Sequence, residues 1–375
     1  MAILAVDLSS AFDLVNRSIL MPKLSRMGYT PRALELMEMF MRNKQLKTKI
    51  GSSFSEFIDV DIGSPQGGIT SPSAYNLLCA DYDVTSQIIA SHQNAPTGTE
   101  VDSETYADDS ATVLAADDFT DLQKLINLAY PELIKYFSCQ SLFINKTKTE
   151  LIVFNPDRNF IIEGTSVKNK STMKLLGVRF CDKFTFKPQV DHVISKLQAL
   201  VPCLNKLIKW APLKITAKTL ETFGLNIIRY CCEIWLQDKS YQALIQRQYN
   251  ILLRVCTNGN AYTPIKEMLS TLSLPNIHNI VLFQTIIFLH KIYKYGHKHV
   301  FMSKSFGFSH NKYNTRWRRL EPTYTHTTTP SKLSFVPKAC QYYTELGLVG
   351  KINTDADFRQ ELPELIISRF GNDNL

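Results

Sequence analysis

The chain has 375 residues, 45% of them hydrophobic and 20% charged, which is typical of globular proteins and long enough for two or three domains. The formal net charge of +8 favours an acidic partner such as nucleic acid, although an excess of this size also serves solubility. No apolar run is long enough for a signal peptide or a membrane span, and the eight cysteines contain no CxxC spacing. We therefore expect reduced thiols and a location in the cytoplasm or nucleus, without secretion or a transmembrane segment.

The beginning of the chain alternates between strand and helix patterns. Residues 2–6, the apolar run AILAV, predict a central strand covered on both faces, with Asp7 at its end. Two helices follow, the first closed by Gly28 and the second capped by Thr30 with Pro31 at its first position. Alternation around a Gly-Ser turn then predicts a hairpin, and a glycine-containing turn leads into another helix.

The stretch ETYADDSATVL, residues 104–114, predicts a second hairpin with Ala107 to Asp109 at its tip. The next segment predicts an amphipathic helix interrupted or re-entered at Pro131, followed by a strand, a basic turn and another strand. This alternation to about residue 180 indicates one α/β layered structure. From about residue 190 the pattern is almost entirely helical, which predicts a separate helical domain.

Basic and aromatic residues interleave in the C-terminal part of the chain. Between residues 268 and 320 there is no Asp or Glu, while lysines, arginines and aromatic rings alternate. Such a stretch suits a nucleic-acid backbone, with rings available for base stacking. A solvated basic face is the alternative interpretation.

The adjacent aspartates at the second hairpin require an explanation, because carboxylates about 4 Å apart repel by roughly 4 kcal/mol at an effective dielectric constant of about 20. If the first strand lies beside this hairpin, Asp7, Asp108 and Asp109 converge at one rim of a sheet. Mg²⁺ binds such oxygen ligands, and two ions about 3.5–4 Å apart can clamp both oxygens of a phosphoryl displacement. A solvated turn is the alternative, as it is for Asp117 and Asp118.

Five segments, in order and spacing, resemble the palm of reverse transcriptases, with the closest likeness to non-LTR (LINE-type) retrotransposons of the jockey and CR1-like groups. They are VDLSSAFD, GSPQGGITSP, YADD, LFINKTKTELIVF and KLLGVRF. The resemblance implies an α+β fold in which an antiparallel palm sheet with helices on one face occupies residues 1–185. A helical thumb or connection would occupy residues 186–290, and a basic C-terminal region residues 291–375.

The resemblance also implies roles for matching positions. Asp7 and Asp108 would bind two Mg²⁺ ions, for which Mn²⁺ is a substitute, with Asp109 as the neighbouring acidic residue and the Leu8 carbonyl in the metal shell. Phe12 would exclude a ribonucleotide's 2′-hydroxyl by steric clash. A core aromatic is the alternative for Phe12.

The other implied roles concern the nucleotide and its leaving group. Gln66 would pack against the incoming nucleotide and template, and Gly67 and Gly68 would let the backbone approach them, where a plain turn is the alternative. Lys148, with Lys146 as a rival, would protonate the departing pyrophosphate. A solvated basic turn is the alternative for both lysines.

The resemblance implies an RNA-directed DNA polymerase that adds deoxynucleoside triphosphates to a DNA primer on an RNA template. The fingers region and the endonuclease that precede the palm in such elements are not visible, so we expect an N-terminally truncated retroelement reading frame. The alternative is a catalytically inactive remnant that at most binds nucleic acid. A carboxylate-based nuclease is disfavoured, because the SPQGG turn and Phe12 have no role in one.

Overall fold

The computed structural model describes residues 1–42, 44–65 and 67–294, the segments 306–309 and 319–322, and single residues 339, 342, 362 and 366. The chain divides into two units. The sheet unit comprises Met1–Gly177 with Cys181–Phe184, and the helical unit comprises Val178–Phe180 with Thr185–Leu375. The functional division into palm, thumb and basic C-terminal region stays a prediction.

The sheet unit contains ten strands and five helices in its described residues. The strands are β1 Ala2–Ser9, β2 Lys44–Leu46, β3 Lys49–Ile50, β4 Ser53–Phe54, β5 Ile58–Val60, β6 Glu100–Tyr106, β7 Asp109–Ala115, β8 Phe143–Ile144, β9 Glu150–Val153 and β10 Thr172–Leu175. The helices are α1 Arg17–Arg26, α2 Pro31–Met41, α3 Ser71–Leu78, α4 Asp83–Ala90 and α5 Phe119–Cys139.

The helical unit begins within strand β11, Val178–Cys181. Its helices are α6 Lys187–Leu207, α7 Leu213–Thr219, α8 Asn226–Arg229, α9 Cys232–Trp235, α10 Lys239–Thr257, α11 Ile265–Leu272 and α12 Ile277–Lys294, with a π-helical segment at Leu220–Leu225. Strands β12, Phe306–Ser309, and β13, Arg319–Pro322, pair antiparallel. No single helix among the described residues is long and apolar enough to span a membrane, although a pair bent by 55°, Ile265–Leu272 with Ile277–Ile292, meets that test together.

The main sheet of the sheet unit is antiparallel and has β1 at its centre. The strand order is β6-β7-β1, and the other edge of β1 pairs with β9 near its start and β8 near its end. Alternate residues of β1 therefore point to opposite faces. Ala2, Leu4, Val6 and Leu8 join the core formed with the helices, which leaves Asp7 on the opposite face.

Helices α1, α3, α4 and α5 cover one face of this sheet. The buried residues of α5 include Leu122, Leu125 and Leu133, all in the same core as β1. The predicted α+β fold, an antiparallel sheet with helices on one face, is confirmed. The face that carries Asp7 also carries its cross-strand partner Asp109.

The prediction that the helix around Pro131 is interrupted is wrong. Helix α5 runs unbroken through Pro131 for 21 residues. A proline inside a helix costs about 3 kcal/mol because it removes one backbone hydrogen bond and crowds the preceding turn. Apolar residues on both sides of it, Ala129 and Leu133 among them, are fully buried, and this packing offsets the cost.

The helical unit has its own hydrophobic core. Helices α6 and α10 pack against each other, and α11 and α12 contribute further buried residues. Trp235 is almost fully buried, and its Nε1 donates a hydrogen bond of 2.8 Å to the carbonyl of Tyr230. The predicted helical character after residue 190 holds through Lys294 in the described residues.

Candidate active site

Asp7 and Asp109 are direct cross-strand partners in the central pair of the sheet. The β1–β7 register places Ala5 opposite Ala111 and Asp7 opposite Asp109. Partners in an antiparallel pair point to the same face with Cβ atoms about 4.5–5.5 Å apart. The two carboxylates therefore share the sheet face that the helices leave open, beside two alanines whose small side chains leave room above the sheet.

Asp108 lies in the two-residue turn that joins β6 to β7. The other turn residue, Ala107, has a φ of +53°, as hairpin turns with a positive φ at their first position require. The Leu8 N–H donates to the Asp108 carbonyl at 3.3 Å, which ties this turn to the end of β1. The predicted tip, Ala107 to Asp109, is one residue too long, since Asp109 already pairs with Tyr106 as the first residue of β7.

The carboxylates repel one another in this arrangement. Burial raises the pKa of Asp109 above its usual value, and the charges of Asp108 and Asp7 raise it further, while Lys148 and Lys174 act in the opposite direction. The lysine charges do not cancel the carboxylate charges. A cation placed among these three carboxylates would relieve the repulsion.

Lys148 is the cation nearest to Asp7. Its Nζ lies 3.1 Å from Asp7 Oδ2, and the lysine side chain is 64% exposed. That buried Oδ2 accepts no aligned hydrogen bond from the described residues, so the contact is an ion pair without hydrogen-bond geometry. Because the lysine end of this pair lies in solvent, the pair stabilises the fold by at most about 1 kcal/mol, which leaves Lys148 able to serve another partner.

Main-chain hydrogen bonds hold the turn that carries Lys148 next to Asp7. The Asn145 N–H donates to the Asp7 carbonyl at 2.8 Å, and the Lys148 N–H donates to the Asn145 carbonyl at 3.1 Å. Lys146 is exposed on the same turn and forms no ion pair with the described residues. Between the two candidate lysines, the geometry favours Lys148.

Phe12 follows β1 in a short turn and is half-buried. Its ring centroid lies 5.2 Å from that of Tyr75 on α3, at an interplanar angle of 39°. Its carbonyl accepts a hydrogen bond of 2.8 Å from the Ser64 N–H, which links the Phe12 turn to the glycine-containing turn. Phe12 is thus packed from one side and partly open on the other, so it has features of both a core aromatic and a steric gate.

The glycine-containing turn needs its glycines for different reasons. Gly63 has a φ of +89°, and a Cβ there would lie 2.7 Å from the Asp13 carbonyl oxygen. Gly67 has a φ of +81° in open space, whereas a Cβ on Gly68 would press on the Ser71 hydroxyl at 2.8 Å. Gln66, predicted to contact the nucleotide, lies outside the described residues.

The open face is acidic beyond the three aspartates. The register of β6 with β7 places Asp102 and Glu104 on the same face as Asp109, and that of β9 with β1 adds Glu150. Burial raises the pKa of Glu104, as do the charges of Asp102 and Asp83. Lys170 pairs with Glu150 at 2.6 Å, so part of this charge is compensated.

The donor set fits a hard divalent cation in the type of its ligand atoms. Carboxylate oxygens are the ligands that Mg²⁺ takes from proteins, and Asp7 Oδ2 is buried without an aligned donor. Within the described part of the chain, however, no group of three or more His, Cys, Asp or Glu side chains is arranged as a metal site. The aspartates are neighbours in the sheet without forming a closed cage.

Comparison with known families assigns the sheet unit. Residues 2–180 match the family described as reverse transcriptase (RNA-dependent DNA polymerase). This part of the chain is therefore similar to a reverse transcriptase domain. The chain is also 26% identical over 220 residues to the RNA-directed DNA polymerase from mobile element jockey of Drosophila funebris, over 54% of this chain and 23% of that protein. The predicted kinship with a non-LTR retrotransposon reverse transcriptase is confirmed.

Solved structures similar to the chain include two telomerases. Telomerase from Candida albicans in complex with a TWJ fragment of telomeric RNA has a TM-score of 0.33 and 14% identity, covering 76% of this chain and 48% of that one. The Candida tropicalis counterpart has a TM-score of 0.35 and 12% identity, covering 72% and 49%. The chain spans less than a quarter of the jockey polymerase and about half of these telomerase chains.

Sequence reasoning missed the buried residues that pack beneath the candidate site. Tyr75 is almost fully buried under Phe12, and burial raises the pKa of its hydroxyl. On the helix side of β7, Thr112 lies 3.0 Å from the Ser103 hydroxyl and 3.3 Å from that of Tyr82. Hydroxyl residues within an apolar strand pattern, as in SATVL, are the signal that such a network leaves in a sequence.

Proposed function

We propose that this chain carries the catalytic palm of an RNA-directed DNA polymerase. The reaction would join a deoxynucleoside triphosphate to a DNA primer 3′-hydroxyl on an RNA template, with release of pyrophosphate. The observation that carries the proposal is the register that places Asp7 opposite Asp109, with Asp108 in the adjoining turn, inside the matched residues 2–180.

Two Mg²⁺ ions, or Mn²⁺ in their place, would be held by Asp7 and Asp108, with Asp109 adjacent and the Leu8 carbonyl contributing. When bound, the ions would supply charge stabilisation for the attacking and leaving oxygens of the displacement. The aspartates concentrate negative charge on the open sheet face. This charge would attract cations in preference to anions. The main-chain bonds from Leu8 and Asn145 fix the ends of the strands that carry these aspartates.

The remaining residues would orient the substrates and handle the proton. Lys148 sits beside Asp7 with an exposed ammonium group, which suits a proton donor to pyrophosphate as it leaves. Phe12, backed by Tyr75, would fill the space of a 2′-hydroxyl and so exclude ribonucleotides. Gln66 and Gly67 would contact the incoming nucleotide and template.

A primer-extension assay tests this function. The purified chain is incubated with an RNA template, a labelled DNA primer and deoxynucleotides in Mg²⁺ or Mn²⁺. We expect extension that falls at least about 100-fold in Asp7→Asn and in Asp108→Asn, since removing one group that stabilises transition-state charge costs about that much. Asp102→Asn, which removes the same charge from the same sheet face, should retain activity within about twofold.

A second function has a specific observation in its favour, namely the net charge of +8, which suits an acidic partner. The chain would then be a catalytically silent remnant that binds nucleic acid. Retention of RNA that weakens steeply with salt, together with no extension in either metal, would support this second function and count against the first.

A further inference from the structure

Helix α6 presents an exposed stripe opposite its buried face. Val190, Val193, Leu197 and Leu204 point into the core of the helical unit. At 100° per residue, a second set falls on the other side of the helix, and every member of it is exposed: Lys196, Ala199, Cys203, Lys206 and Trp210. Helical hydrogen bonds continue past Leu207, since the Ala211 N–H donates to the Leu207 carbonyl at 2.9 Å, so Trp210 extends the stripe.

Trp210 stands at the end of this stripe with its ring in solvent. The side chain is 88% exposed, whereas Trp235 of the same unit is almost fully buried. The Trp210 indole makes no hydrogen bond to the described residues. The described part of the helical unit therefore leaves most of this aromatic surface uncovered and available to a ligand.

The sequence around Trp210 is basic. Residues 192–220 contain five lysines and no Asp or Glu. Lys218 pairs with Glu221 at 2.8 Å. The other four are exposed and form no ion pair with the described residues: Lys196, Lys206, Lys209 and Lys214. Four unpaired cations within two helices and one turn make a local positive potential that attracts polyanions.

We propose that this α6 stripe, with Lys209 and Lys214 beside it, binds single-stranded nucleic acid. Phosphates would pair with the lysines along about 15 Å of helix, the rise from Lys196 to Lys206. An unpaired base would stack on Trp210, because every base has a free ring face once it leaves a duplex. The small side chains of Ala199 and Cys203 between the lysines let the strand lie close to the helix.

A membrane surface fits this stripe less well. Helices that lie on membranes bury their apolar face in the lipid and turn the lysine face to water. The apolar face of α6 is instead occupied by the protein core, and its exposed face carries the lysines. All residues of the stripe belong to the helical unit, so binding at the stripe does not depend on whether the sheet unit polymerises DNA.

Fluorescence anisotropy with a labelled 20-nucleotide oligo(U) RNA tests the proposal on the whole chain. We expect Trp210→Ala to weaken binding about tenfold, the value for one lost base stack. Trp210→Phe, which keeps a ring, should restore most of the affinity. Lys206→Gln, Lys209→Gln and Lys214→Gln combined should lower the slope of log K against log salt by about 2, at about 0.7 per phosphate contact.

Matched variants separate this surface from general effects of charge and aromatic area. Lys187→Gln removes a lysine from the other end of α6, where it pairs with Asp191, and Tyr262→Ala removes a ring that is 93% exposed elsewhere in the helical unit. Both should bind like the unsubstituted chain. The proposal is overturned if Trp210→Ala and the triple variant bind within twofold of it, or if the controls lose as much. It is equally overturned if the stripe variants lose binding only to anionic lipid vesicles.

Discussion

Asp109 illustrates how a single residue here opposes the stability of the fold. Its folded-state pKa is raised by burial and by the charges of Asp108 and Asp7. A carboxyl whose pKa is higher in the folded than in the unfolded state binds more protons when folded. Stability is therefore lost as the pH rises from the unfolded value of about 3.9 through the folded one.

Asp109→Asn should therefore stabilise the metal-free chain at pH 7. Because Asp109 is exposed, solvent screening limits the gain to about 0.5 kcal/mol, or about 1–2 °C in melting temperature. The gain should shrink toward pH 4, where the carboxyl is largely protonated in both states. Thermal unfolding followed by circular dichroism between pH 4 and 7.5, without divalent cations, measures both effects.

Asp102→Asn is the control, since it removes one charge from the same sheet face without altering the Asp7–Asp109 pair. Added Mg²⁺ should raise the melting temperature of the unsubstituted chain more than that of Asp109→Asn. An equal gain from Asp102→Asn, or a gain from Asp109→Asn that grows toward pH 4, would contradict the assigned repulsion.

At the scale of elements, the sequence predicts where strands and hairpins lie better than it predicts which residues of neighbouring strands pair on one face. The apolar run of β1, the hairpin around residues 107–108 and the cap of α2 by Thr30 are all visible in the sequence. The pairing of Asp7 with Asp109 is not, because it depends on a register between strands about 100 residues apart. The path of α5 through Pro131 depends likewise on tertiary packing, which no local signal encodes.

Gly63 lies in the turn that joins the residues after β1 to α3, next to the candidate site. Gly63→Ala should destabilise the sheet unit by about 2 kcal/mol or more. A side chain at positive φ costs about 1–2 kcal/mol, and the added Cβ would lie 2.7 Å from the Asp13 carbonyl oxygen. Gly51→Ala is the matched control, since Gly51 also has a positive φ, +61°, but open space around it.

Urea unfolding of both glycine variants measures the difference between them. The conformational cost is common to the two, so the excess in Gly63→Ala reports the clash with the backbone of Asp13. Equal losses of unfolding free energy in the two variants would mean that the Gly63 turn shifts freely. Its hydrogen bond to the Phe12 turn would then contribute no measurable stability.

At the scale of the molecule, the two units have separate hydrophobic cores. The core of the sheet unit joins β1 to its covering helices, and that of the helical unit is built from α6 and the helices after it. The sequence predicted this change of character near residue 190 from its shift to helical periodicity. The basic stretch predicted after residue 290 falls mostly outside the described residues, and its role in nucleic-acid binding stays a prediction.

A cavity made in one core should therefore lower the stability of that unit first. Leu133→Ala in the sheet unit and Leu252→Ala in the helical unit each remove a fully buried side chain. Each should cost about 2–5 kcal/mol, or roughly 5–15 °C in the transition of its own unit. In scanning calorimetry we expect each variant to move a different part of the heat-absorption profile. A single transition that both variants shift by the same amount would show instead that the two cores unfold as one cooperative whole.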